Sequence, residues 1–457
     1  MDAPPQSPFA VRNVRLFILF RLFFNSRFYY PVFTILFLDF GLSLEQFALL
    51  NVGWAASIVL LEVPSGALAD TIGRRNLLVA AGALMIAEMC LLCFVPPGSP
   101  SLLFGVFLAN RILSGAAEAA ASGADEALAY DSLAQAGDAE QWPRVLEVLM
   151  RVQSVGFVIA LTVGAAVYDP DLMQWVADRM GLSVELTQSV TLRFPLYLCL
   201  VLAVLTLGTT LRMEEVMPET ASGRKSLSAC ARSVSAALRT TLKAGHWILH
   251  TPSALVVIVA GLVFDSAIRM FLTINSQYYR VIELPEASFG LIGSAMSMLG
   301  LLVPTLARRW VETRTPQFNY GVLAGLTFVG LWGLTWTVPW FGLAPVLLLF
   351  VSMYLLGFYM SYYLNRVTNP EQRATVLSFK GLSFNLAYGG VGLLYTGLLA
   401  GLRPGITDLY PALDGTALED QVFTSALWWF PWYFLITLAV LAVFAASRRR
   451  RVGPLAK

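Results

Sequence analysis

The chain has 457 residues, of which 57% are hydrophobic and only 13% charged, and its mean hydropathy is +0.67. An ordinary soluble domain carries roughly 25% charged residues, so this composition excludes a surface built mainly for water. The net charge of +2 says little alone, because in a membrane protein the informative quantity is where Lys and Arg sit.

A helix rises 1.5 Å per residue and needs about twenty apolar residues to cross a hydrocarbon core about 30 Å thick. The first such stretch, residues 14–38, follows Arg12 and Arg15 and has no small-residue cleavage site after it, so it reads as a retained helix and not as a signal peptide. Further spans are predicted at 45–69, 76–95, 101–121, 146–168 and 193–212. Residues 213–252 form the longest connection. Within it Leu227, Val234, Leu238 and Leu242 fall near one helical face while Arg232, Arg239 and Lys243 project elsewhere, the pattern of a helix lying on an anionic inner leaflet. Six more spans are predicted at 253–279, 287–307, 318–338, 341–363, 374–401 and 423–446.

The reading is an all-α membrane protein of about twelve transmembrane helices: an N-terminal bundle (1–212), a linker (213–252) and a C-terminal bundle (253–457) with a basic tail. An even number of spans puts both termini on one side. Lys and Arg concentrate on the segments that would share that side, including Arg448, Arg449, Arg450 and Arg451, so both termini are assigned to the cytoplasm of a cell membrane. The outer loops are instead acidic, with Asp169, Asp171, Asp178, Asp408, Asp414, Glu419 and Asp420. The halves read as weak repeats. Arg144, Arg151 and Ser154 share their spacing with Arg373, Lys380 and Ser383, and Val63-Pro64-Ser65 matches Val303-Pro304-Thr305, each pair of spans being six apart.

After the second span the chain reads Gly66-Ala-Leu-Ala-Asp70-Thr71-Ile-Gly73-Arg74-Arg75. This resembles the loop motif G-x-x-x-D-[RK]-x-G-[RK]-[RK] of the Major Facilitator Superfamily, at the family's own position between the second and third spans. Thr71 stands where the family has a basic residue. The resemblance implies two pseudo-symmetric six-helix bundles around a central cavity, and a cytoplasmic gate made by Gly66, Asp70, Gly73, Arg74 and Arg75. Asp70 is expected at the positive N-terminal end of the helix beginning near Arg373, and Arg74 beside Asp125 or Glu126. In the fourth span Arg111-Ile-Leu-Ser114-Gly115-Ala-Ala117 partly resembles the family motif R-x-x-x-G-x-x-A, whose arginine is associated with proton coupling; Glu118 stands where the alanine should be. Arg111, Glu118 and Asp125 are spaced by sevens and are expected to form one stripe along a helix. The fifth span keeps Gly156 and Gly164 but lacks the proline of the antiporter motif G-P-x-x-G-G, which lowers the case for drug/proton antiport. Ser122–Ser132 and Asn365-Arg366 with Arg373–Ser378 look similar to bacterial members of unassigned substrate.

Ten ionisable residues fall inside predicted spans: Arg21, Arg27, Glu62, Glu88, Arg111, Glu118, Arg151, Asp265, Arg269 and Lys380. Each costs about 2.5–3.5 kcal/mol at a helix centre, so they must face one another or water. The family fold places the first, fourth, seventh and tenth helices around the cavity. The expected substrate and proton pathway is Arg27, Arg111, Glu118, Asp265, Arg269, Lys380, Tyr30 and Tyr359, with Glu118 and Asp265 as proton carriers and the tyrosines as contacts for an organic solute. An excess of buried bases over buried acids suggests an anionic or zwitterionic substrate.

The expected activity is secondary transport of a small organic solute by alternating access, proton-coupled and leaning to export of a drug-like or metabolite compound, by a monomer. An importer or uniporter of the same fold, or a transport-inactive sensor, is the alternative, and flux in proteoliposomes discriminates them. The two histidines, His246 and His250, both lie in the linker, which argues against an intramembrane histidine enzyme or metal site, and no phosphate-binding loop G-x-x-x-x-G-K-[ST] occurs. Cys90, Cys93, Cys199 and Cys230 have the setting of neither a disulfide framework nor a zinc site. No cofactor, metal, catalytic residue or nucleic-acid partner is expected.

Overall fold

Prolines and capping residues mark where many of the helices begin. Pro143, Pro170, Pro195, Pro252 and Pro316 each stand in a first helical turn, where a missing N–H costs nothing. The Asp169 carboxylate accepts from Leu172 N–H and the Thr315 hydroxyl from Phe318 N–H, capping two of these starts. The computed structural model describes residues 7–96, 100–216, 227–368 and 373–448, and within these a few helical residues without their side chains.

In chain order the helices are α1 (Arg12–Asn25), α2 (Phe33–Asp39), α3 (Leu44–Ile72), α4 (Arg74–Cys93), α5 (Pro100–Ala121), α6 (Ala124–Gln135), α7 (Trp142–Tyr168), α8 (Pro170–Arg179), α9 (Gln188–Thr191) and α10 (Phe194–Leu211). They continue as α11 (Leu227–His250), α12 (Pro252–Thr273), α13 (Asn275–Val281), α14 (Ser288–Thr313), α15 (Pro316–Leu334), α16 (Leu343–Val367), α17 (Arg373–Leu409), α18 (Gly415–Leu427) and α19 (Trp429–Arg448). Among the described residues there is no strand. Every predicted span has a helical counterpart, and among the described residues ten segments are long and apolar enough to cross a membrane. The two predicted spans outside that set are the first and the ninth, α15.

The first span departs from the uninterrupted helix that hydropathy predicts. α1 stops at Asn25, residues 26–29 turn, Tyr30–Val32 form a 3-10 turn, and α2 resumes at Phe33. Pro31 is the cause: it offers no N–H, and its ring would strike the carbonyl of Arg27 in a continuous α-helix. The freed backbone is sheltered by protein, with Phe28 N–H donating to Cys199 Sγ at 3.2 Å and the Phe28 carbonyl seated on Gly164 of α7. A Cβ at Gly164 would overlap that oxygen, so Gly164→Ala is expected to destabilise the protein by about 1–3 kcal/mol, read as a lowered unfolding midpoint in detergent. Gly208→Ala, where a Cβ meets nothing, is the matched control.

By contacts the chain clusters into two units, one of residues 1–32 with 53–238 and the other of 33–52 with 239–457. In the first, α4 packs on α5 and α10, and α1 packs on α6, α7 and α10. Val14, Phe17 and Ile18 of α1 meet Ala129, Leu133, Val145 and Leu149 in one apolar cluster. In the second, α12 packs against α16, α17 and α19, and α16 against α14 and α15. The repeat prolines Pro64 and Pro304 both lie inside helices, α3 and α14. Arg449, Arg450 and Arg451 lie outside the described residues, as does most of the linker before α11.

Candidate functional site

In the first unit the break in the first span delivers Arg27 into the protein interior. Its Nη1 donates to Glu88 Oε1 of α4 at 2.6 Å, with Arg27 4% exposed and Glu88 not exposed at all. Asn110 Nδ2 of α5 donates to the Glu88 backbone carbonyl at 2.9 Å, which ties the pair to a third helix. Arg111, one residue on, is buried with its guanidinium 5.4 Å from the Trp54 ring centroid. Glu118 is exposed on α5, within electrostatic reach of Arg21, Arg27 and Glu88. Tyr30 is 44% exposed.

The expected stripe of Arg111, Glu118 and Asp125 does not form. α5 ends at Ala121 and Gly123 adopts the left-handed conformation at φ 74°, which a glycine takes without strain, so Asp125 opens a new helix. There it is buried against Arg21 of α1, whose Nε lies 2.5 Å from Asp125 Oδ2. Glu126 is exposed. Arg151 is also exposed and pairs with Glu147 one turn away at 2.5 Å.

In the second unit Asp265 and Arg269 sit one turn apart on α12 and form an ion pair at 2.9 Å. Arg269 Nη1 also donates to Asn385 Oδ1 at 3.3 Å, and its guanidinium lies 5.6 Å from the Tyr388 ring centroid. The Tyr388 hydroxyl is 3.1 Å from Thr273 Oγ1. Lys380 of α17 is half-buried, with its ammonium 5.6 Å from the Phe384 ring and in electrostatic reach of Asp265 and Arg269. Tyr359 is elsewhere. It is fully buried between Tyr320 and Tyr363 in the packing of α15 and α16, and its hydroxyl has no hydrogen-bond partner among the described residues. As placed, it is a packing side chain.

At the end of α3 that carries the loop motif, Gly73 takes φ 95° and starts α4. The Glu215 carboxylate occupies that helix start, accepting from the backbone N–H of Arg74 at 3.2 Å and of Arg75 at 2.9 Å. Arg75 reaches the carbonyls of Met213 and Leu211 at 2.7 and 3.0 Å. Arg74 pairs with Asp131, not with Asp125 or Glu126, because the helix restart at Gly123 hands Asp125 to Arg21 and leaves Asp131 for Arg74. Gly66 lies inside α3 with open space beside it. The side chains of Asp70, Thr71 and Arg373 lie outside the described set, so the expected Asp70 contact does too.

The opposite end of α3 carries two arginine-centred clusters that sequence reading missed, both within the second unit. Arg280 grips Asp39 with both terminal nitrogens at 2.8 and 2.7 Å and also meets Glu286 at 2.5 Å. Arg403 grips Glu45 through Nε and Nη2 at 2.6 Å each and meets Glu419 at 2.8 Å. Gln277 donates to Asp420 at 2.5 Å, and the Ser276 hydroxyl accepts from Thr34 N–H at 3.0 Å. The sequence signal was an arginine near acids in each of two connections, Glu286 for Arg280 and Glu419 for Arg403, but the other partner of each, Asp39 and Glu45, is more than two hundred residues away.

A family profile of the Major Facilitator Superfamily matches residues 16–392. No curated protein matches the sequence. Among solved structures, a bacterial homologue of the human lysosomal transporter Spinster is similar at TM-score 0.68 and 14% identity, covering 98% of each chain. The nucleoside transporter NupG is similar at 0.67 and 12% identity, over 94% of this chain and 98% of its own. A bacterial homologue of the iron transporter ferroportin is similar at 0.66 and 15% identity, over 96% and 100%. At these identities the likenesses establish the fold, and the profile match over most of the length establishes the family: this chain is a multi-pass membrane protein belonging to the Major Facilitator Superfamily of secondary transporters.

Proposed function

We propose that the chain moves a small organic anion or zwitterion by alternating access, coupled to protons and leaning to export, with residues 1–212 and 253–457 as the moving halves and both termini in the cytoplasm of the cell membrane. The observation that carries the substrate class is the Asp265, Arg269 and Lys380 cluster, in which one carboxylate faces two bases inside apolar helices. The rest of the buried positive excess read from sequence is largely cancelled, since Arg27 meets Glu88, Arg21 meets Asp125 and Arg151 meets Glu147. Arg269 is held by Asp265, so Lys380, which has no ion pair among the described residues, is the base of this cluster left to receive an anion. Its neighbours Tyr388, Asn385 and Thr273 add hydroxyl and amide groups for the rest of an organic solute.

Proton coupling is supported by Glu118, an exposed acid on a spanning helix close to Arg21, Arg27 and Glu88, and by Asp265. A proton arriving on Asp265 would weaken the hold of Arg269 on it, and one arriving on Glu118 would remove a negative charge from the neighbourhood of Arg21, Arg27 and Glu88.

The test is a thermal-stability screen of the purified protein against anionic, zwitterionic and cationic metabolites, because a bound solute raises stability by mass action. The expected hits are anions or zwitterions, and Lys380→Gln should weaken them at least about tenfold, the effect of losing roughly 1.4 kcal/mol. Flux of a hit into proteoliposomes should follow an imposed pH gradient. Hits restricted to permanent cations, with Lys380→Gln binding them unchanged, would overturn the substrate class, and flux indifferent to the gradient would overturn the coupling.

A further inference from the structure

α11 precedes the spanning helix α12 by a single residue, Thr251, so its C-terminal end is held at the depth where a bilayer's polar surface begins. At 100° per residue the described side chains from Leu238 to His250 include three adjoining sectors, with the half-buried Trp247 lying beyond the last of them. Gly245 and Ile248 form the sector turned to the protein: Gly245 lies against the Phe379 ring and Ile248 is 1% exposed. Leu238, Leu242 and Leu249 follow within about 40° of one another, exposed by 43, 69 and 59%. Beyond them Arg239, Lys243, His246 and His250 make an exposed flank, with the two imidazole centroids 4.1 Å apart and the rings tilted by 37°. No acid occurs between Leu227 and His250.

We infer that the leucine edge of α11 docks on the bilayer surface, inserted at the acyl boundary, with Arg239 and Lys243 seated on anionic lipid phosphates. A leucine edge between a protein-packed sector and an all-basic flank matches an interface apolar below and negatively charged above. A second protein would leave unexplained why the basic flank lies beside the edge on the side away from the packed sector, where headgroups lie if the edge is in lipid. The surface therefore takes anionic phospholipid, and the helix ties linker position to leaflet charge. Only the choice of the cytoplasmic leaflet rests on the orientation proposed above.

The test places a nitroxide on Leu242→Cys, and separately on Leu249→Cys, in the full chain with its native cysteines replaced. Collisions with oxygen and with a water-soluble nickel chelate are measured in nanodiscs of phosphatidylcholine alone and of phosphatidylcholine with phosphatidylglycerol. The expected result is strong oxygen and weak nickel collision in the anionic discs, with nickel collision rising several-fold in neutral discs or when Arg239→Glu and Lys243→Glu are combined. Equal nickel access in both lipids, unmoved by charge reversal, overturns the docking: high access would mean the edge stands in water, low access that it rests on the chain itself. The readout contains no substrate, so it fails or succeeds independently of the transport reading.

Discussion

Glu88→Ala is expected to lower stability by about 3–5 kcal/mol, the usual consequence of removing one member of a buried ion pair. Arg27 cannot shed its charge, is 4% exposed, and has Glu88 as its ion-pair partner at 2.6 Å. Asn110 holds the Glu88 backbone and not its carboxylate, so it offers no compensation. The measurement is the unfolding midpoint in detergent. A companion variant, Arg27→Met with Glu88→Leu, removes both charges and should recover most of the loss, since apolar groups of similar volume often replace a buried pair at little cost. If the pair also belongs to the solute or proton pathway, the double variant will be stable and transport-dead. A Glu88→Ala protein that melts with the wild type would mean that water or another anion already serves Arg27.

Arg403→Ala should release the end of α3 that carries Glu45. The arginine is three-quarters buried and neutralises two carboxylates at once, Glu45 and Glu419, so its loss removes about 2–5 kcal/mol of attraction and leaves two like charges facing each other. Residues 33–52 are otherwise held to the second unit by the Arg280 cluster and by Thr34 on Ser276. The expected shift favours states in which this end opens. A cysteine at Leu50, unexposed in the structure, should react with a water-soluble maleimide at least about tenfold faster in the variant, as a shift of roughly 1.4 kcal/mol or more in the opening equilibrium requires. Glu419→Gln, which leaves the two bonds to Glu45, should move the rate less. Equal rates would show that the arginine cluster does not decide whether this end is closed.

Local chemistry accounts for what was readable in advance. Hydropathy located the counterpart of each span, because a stretch of twenty apolar residues has few other destinations, and the loop motif at Gly66–Arg75 carried the family without any knowledge of contacts. The pairing of Asp265 with Arg269 was also readable, since residues four apart on a helix are neighbours. Reading failed where partners come from distant helices. Glu88 was visible as an embedded acid, but nothing in the sequence says that it meets Arg27, 61 positions earlier. Reading failed too where a single residue overrules a pattern, as Pro31 does by splitting the first span and Gly123 by ending the stripe begun at Arg111.

By itself the sequence determined that this chain lives in a bilayer, crosses it repeatedly and carries charges that must find shelter there, because transfer energies depend on residue type and run length alone. Only the tertiary structure decided which charge shelters which: Arg27 with Glu88, Arg21 with Asp125, Arg74 with Asp131, Arg280 with Asp39 and Arg403 with Glu45. The physical reason is range. Burial is a property of one helix and its solvent, whereas an ion pair needs two side chains within about 4 Å, and which helices come that close is set by packing summed over the whole chain.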